Sequence, residues 1–88
     1  MRVLVVTPHY ERKLKHFLLT HPELEKKVTS VLSALVVNPF DSSLRTHKLS
    51  GRLNMCYGAS INYRYRIVFG LDDKNVILLN IGSHDEVY

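Results

Sequence analysis

Two apolar stripes at helical spacing, joined by five residues, decide most of what this chain can become. Tyr10, Leu14, Phe17 and Leu18 recur at i, i+4, i+7 and i+8; Leu24, Val28, Val31, Leu32 and Leu35 line a second face further along. Between them, Thr20 and Glu23 have the spacing of a capping box, with Pro22 tolerated in a first turn. Asn38-Pro39 stops the second helix, because a residue before proline is pushed out of the helical region. Two antiparallel helices follow. The apolar surface on the stripes is too small to offset the conformational entropy of ordering their own residues. The pair therefore needs a sheet to pack on.

The rest of the sequence supplies one. Val3–Val6 reads as a short buried strand closed by Thr7-Pro8, and Pro39 to Leu53 as a polar connection. Strands are expected at about Met55–Ser60, Arg64–Phe69 and Val76–Ile81. Ile61-Asn62-Tyr63 makes the first turn, and Asp72-Asp73-Lys74-Asn75 is the stronger hairpin signal. The order is β-α-α-β-β-β. It implies an α+β fold: one domain of 88 residues, two helices on one side of a largely antiparallel four-stranded sheet. The first strand is expected at an edge or beside the last.

Composition narrows the function classes. The chain is 45% hydrophobic and 23% charged, which is globular, and no uninterrupted apolar run is long enough to cross a bilayer or serve as a secretory signal. A soluble, cytoplasmic protein with no membrane partner is expected. The single cysteine, Cys56, cannot form an internal disulfide, and between Met55 and Tyr57 it reads as a small packing residue. Residues 1–50 hold eight basic and four acidic groups and residues 51–88 four of each, so the net charge of +4 lies in the front half and its helices. Such a surface suits a polyanion or an acidic protein. The five histidines include no pair at metal-ligand spacing, so neither a metal site nor a cofactor is expected. There is no phosphate-binding glycine loop and no Gly-x-Ser-x-Gly.

Proton-transferring and anion-binding groups gather late in the chain. Alternation puts Tyr63, Tyr65, Ile67 and Phe69 on one face of a strand and Arg64, Arg66 and Val68 on the other. Two arginines on one face must meet carboxylates, water or an anion; Asp85 or Glu86 can supply the first, and guanidinium grips phosphate bidentately. The hairpin folds Val76–Ile81 back beside this strand, so His84 emerges near the arginines, with Tyr88 behind it. Histidine gives and takes protons near neutral pH, so His84, Arg66 and Tyr88 form a candidate group for cleaving a phosphodiester. His47, next to Lys48 in a polar loop leading into the sheet, is a further candidate, against the plainer reading of an exposed side chain.

HKLSG, then a strand, then YRYRIVF, an acidic turn and VILLNIGSHDEVY together resemble the RelE/ParE superfamily of bacterial toxins, nearest its RelE and YafQ branches. The likeness covers the whole chain, and its specific part is Thr46 to Tyr88. It implies the toxin of a type II toxin–antitoxin module: a metal-independent endoribonuclease that cuts mRNA, in many members at the ribosome. The ribose 2′-hydroxyl attacks the neighbouring phosphate and translation stops. By match, Arg66 binds the scissile phosphate, His84 moves a proton, Tyr88 orients the nucleotide, and His47 stands before the family's Leu-x-Gly step. Arg64, Tyr65 and Lys48 flank the site as substrate-binding residues. A cognate antitoxin is the implied protein partner, with mRNA and the ribosome as the target.

The match is not complete. RelE relatives carry lysines where this chain has Gly58 and Ser60, and an arginine after a Gly-Lys step, where it has Ser83 then His84. That pattern fits a histidine-based site better than a lysine-based one, and it leaves open a non-catalytic member that only binds its antitoxin. A second alternative is a ParE-like inhibitor of DNA gyrase, against which the closing Asp-Glu-Val-Tyr argues.

Overall fold

The computed structural model describes residues 1–49 and 55–88. Strand β1 (Val3–Val6) leads into helix α1 (Pro8–Thr20), and a 3-10 turn at Pro22–Leu24 connects α1 to α2 (Glu25–Val37). After a second 3-10 turn come β2 (His47–Lys48), β3 (Tyr57–Ser60), β4 (Tyr65–Leu71), β5 (Asn75–Ser83) and the one-turn helix α3 (His84–Val87). The sheet order is β1-β5-β4-β3-β2, antiparallel throughout except where β1 lies parallel to β5. The α+β architecture is the one expected. The sheet has five strands rather than four, because the two residues of β2 pair with β3, too short a stretch to show alternation.

Thr7 and Pro8 do two jobs at once. The Thr7 hydroxyl caps α1 by accepting from the Tyr10 N–H at 3.2 Å and donates to the Leu78 carbonyl of β5 at 2.7 Å. Pro8 occupies the first helical turn, where its missing N–H costs nothing. The other expected cap is not formed. Thr20 ends α1, with its hydroxyl turned back to the His16 carbonyl, and α2 begins after Leu24 with no side-chain cap. The 3-10 turn at Pro22–Leu24 takes up Glu23, the residue that a capping box with Thr20 would have needed at the start of a helix. Asn38 closes α2 in extended conformation, as the following proline demands.

The helices bury their stripes against one face of the sheet. Tyr10 and Phe17 from α1 and Val28, Val31 and Leu35 from α2 pack on Ala59, Ile67, Phe69, Val76, Leu78 and Ile81. The other face carries a smaller cluster of Leu49, Val68 and Val87, flanked by Cys56 and Leu79. Register shifts at Val68/Phe69: Val68 pairs with Asn80, Phe69 with Leu78, and Leu79 is left as an extra residue of β5. The Asp72 turn is held as read, its carboxylate accepting from the Lys74 and Asn75 N–H groups.

Candidate functional site

The open face of the sheet is built in rows. His47 pairs with Gly58 and Gly58 with Val68; Ser60 pairs with Arg66 and Arg66 with Gly82. Cross-strand partners share a face, so His47 and Arg66 stand on the side away from the helices. The α3 turn then brings His84 and Tyr88 over that side. Its geometry is fixed by a capping box: the Ser83 hydroxyl accepts from the Glu86 N–H, and the Glu86 carboxylate accepts from the Ser83 N–H at 3.0 Å. Val87 plugs into the small cluster beside Val68, which anchors the turn from below.

Tyr88 is the centre of the arrangement. The His84 ring meets it edge-on at 4.5 Å and the His47 ring edge-on at 6.2 Å. Burial pushes the Tyr88 phenol above its usual range and the neighbouring Arg66 charge pulls it partly back, so it is a neutral hydrogen-bonding group at physiological pH. Arg66 makes no ion pair or side-chain hydrogen bond among the described residues, so its guanidinium is available to an anion. The carboxylates proposed as its partners are engaged elsewhere. Glu86 is held by Ser83 and by Lys13 at 3.6 Å, and Asp85 faces His84 at 3.7 Å.

His47 is oriented by the residue two before it. Arg45 has φ +49°, a left-handed conformation rare for a side-chain-bearing residue, and it aims its carbonyl at His47 Nδ1 at 3.4 Å. A carbonyl only accepts, so the proton belongs on Nδ1 and the lone pair on Nε2. Gly58 contributes by what it lacks. A Cβ there would collide with the Tyr88 phenolic oxygen, whereas the ring carbon bearing that oxygen stands at 3.4 Å, an ordinary contact. The residue that departs from the RelE lysines is therefore the notch in which Tyr88 lies. Ser60, the other departure, has its hydroxyl committed to the Asn62 carbonyl at 2.7 Å.

Four sequence-predicted residues thus come together: His47, Arg66, His84 and Tyr88. Three others do not join them. Tyr65 falls on the helix side, edge-on to Phe17 at 5.1 Å and against the tilted His21 ring at 4.7 Å, as its alternation with Arg66 requires. Lys48 pairs with Tyr57, on the side opposite His47. Arg64 precedes β4 in the turn, over the Tyr65 ring at 5.8 Å. The strand was expected to begin at Arg64, but Asn62 bends the chain there by accepting from the Arg64 and Tyr65 N–H groups. Arg45, Gly58 and the Ser83–Glu86 box were not singled out as site-builders from sequence; the Ser-x-x-Glu spacing was the one signal that could have shown the last of them. Ser50 and Gly51 of the HKLSG stretch lie outside the described residues.

No metal-holding group of three His, Cys, Asp or Glu occurs among the described residues, and none of their helices is long and apolar enough to cross a membrane. No family model and no curated protein matches the sequence. Solved structures do. A chain of the E. coli DinJ–YafQ toxin–antitoxin complex superposes with a TM-score of 0.83 over 99% of this chain and 97% of that one, at 17% identity. The fold is that of the RelE/ParE toxins. A copper-bound mutant toxin from Helicobacter pylori matches with a TM-score of 0.85 over the full length of both chains at 24% identity. The YoeB/ParE toxin from Agrobacterium tumefaciens gives 0.80 over 96% and 99%, at 16% identity.

Proposed function

We propose that this protein is the toxin of a type II toxin–antitoxin module and that it cuts mRNA, at the ribosome, without a metal. One observation carries the reading: the Arg66 guanidinium, unpaired among the described residues, lies beside Tyr88, with two imidazoles edge-on to the same ring. Arg66 binds the scissile phosphate and stabilises the charge that builds on its oxygens in the transition state. His47, with its Nε2 lone pair free, takes the proton of the 2′-hydroxyl as that oxygen bonds to phosphorus. His84 gives a proton to the departing 5′-oxygen as its bond to phosphorus breaks. The products are a 2′,3′-cyclic phosphate and a 5′-hydroxyl end. Tyr88 supplies a ring face and a neutral phenol to orient the nucleotide.

The toxin assignment is supported by the solved toxin that shares this fold in a toxin–antitoxin complex. The corresponding partner here is an acidic or amphipathic segment lying over the basic helices and the open sheet face. The deciding experiment is cleavage of a defined message in a purified translation system, comparing wild type with His84→Ala, with and without ribosomes. Cleavage by wild type and its loss in the variant support the proposal, and the ribosome-free lane sets the substrate. Intact RNA in every lane, together with inhibition of gyrase supercoiling, would replace it with the ParE-like reading.

A further inference from the structure

We infer that a cleft on the helix side of the sheet end, outside the four-residue site, is a second nucleotide subsite. It would take the base of an RNA residue next to the bond held by Arg66. The inference rests on the ribonuclease reading above. The cleft encloses about 200 Å³ between α1 and the ends of β4 and β5. That is below the ~300–1,000 Å³ of sites for drug-sized ligands, so it suits one planar ring rather than a whole small molecule.

Its floor is aromatic and its rim is basic. Phe17 and Tyr65 meet edge to face at 5.1 Å, and His21 leans against them at 5.1 and 4.7 Å. Arg64 covers the Tyr65 ring at 5.8 Å, and Lys13 and His16 complete the lining on the α1 side. The lining acid, Glu86, is occupied by Lys13 and by the Ser83 N–H. Arginine over a tyrosine face beside a tilted imidazole is chemistry for a base and its phosphate; an acidic peptide would use the rim and leave the rings alone.

Continuity places the cleft on the RNA path. Arg64 and Ser83 line both this cleft and a shallow depression shared with His84 and Asp85. A strand crossing His84 must pass Arg64, and its next nucleotide reaches Tyr65 and His21. Two residues that the site itself did not gather, Arg64 and Tyr65, acquire a role here.

The test is an NMR titration of the protein with a mixed-sequence hexaribonucleotide carrying 2′-O-methyl ribose at every position, which removes every attacking hydroxyl. His21 and Tyr65 ring signals should move together with those of His84 and Tyr88. Arg64→Gln, on an exposed turn, should weaken binding about tenfold, as should loss of the imidazole in His21→Ala. Saturable movement at His84 and Tyr88 with His21 and Tyr65 silent overturns the subsite and leaves the ribonuclease reading standing. Silence at all four overturns the subsite, and the ribonuclease reading is then judged by the translation-system cleavage assay alone. Equal movement of His21 and Tyr65 with an oligoglutamate of matched charge would assign the cleft to protein instead.

Discussion

The two faces of the sheet differ in what their residues are for. The helix face is closed by Phe17, Val31 and Leu35 over Ile67 and Phe69, a continuous apolar contact that supplies most of the burial. The open face has a three-residue plug, Leu49, Val68 and Val87, and above it charged and ring side chains that satisfy few partners of their own. Stability is concentrated on one side and chemistry on the other, separated by the thickness of one strand. A site built this way can hold an uncompensated arginine, because the fold does not depend on that side for its core.

Substitutions across β4 should expose this division most sharply. Phe69→Ala, on the helix face, should cost about 3–5 kcal/mol, read as a lowered denaturant midpoint. One row away, Arg66→Ala should leave that midpoint within about 0.5 kcal/mol while lowering cleavage about 10²–10³-fold. Equal loss of stability in the two variants would abolish the distinction. Gly58→Ala probes where the faces meet. The phenolic oxygen it displaces is the end of a single side chain, so stability should hold while cleavage falls about tenfold, roughly 1.4 kcal/mol of transition-state binding. In a Tyr88→Phe background the same alanine should be nearly silent, since the colliding oxygen is gone.

Smaller effects should come from the α3 cap. Ser83→Ala should cost about 1 kcal/mol, localised to the turn and visible as loss of the His84–Tyr88 ring contact by NMR. The same turn should loosen in acid. Hydrogen bonds from Ser83, and then Lys13, hold the Glu86 carboxyl below its ordinary range. A depressed folded value means the stabilisation is present above the unfolded glutamate pKa and is lost as pH falls through the folded one. An acid titration should therefore release Tyr88 in wild type before the helix-face core melts, and that step should be absent in Glu86→Gln, which has no carboxyl to titrate.

How much of this was legible depends on the range of the interaction that decides each feature. The stripes of α1 and α2, the Asp72 hairpin and the opposition of Tyr65 to Arg66 are written in local periodicity. The gathering of His84 and Tyr88 toward Arg66 followed from hairpin return alone. Two-residue β2 was not readable, because it exists only where β3 runs beside it. The left-handed Arg45 and the notch at Gly58 are likewise set by distant chain, since neither residue type announces its neighbour. Thr20 looked like a cap because Thr-x-x-Glu spacing is blind to the 3-10 turn at Pro22.

The parallel pairing of Val3 with Asn75 predicts an order of assembly, to be checked by the φ-values of β1 against those of β4. It joins positions about seventy residues apart, so its loop-closure entropy falls due only once nearly the whole chain is in place. The ladder from β3 through β5 needs only neighbouring segments and can zip by itself. Strand β1 is then the clasp fastened last, and early intermediates should already display the arginine strand while α1 still searches for its seat.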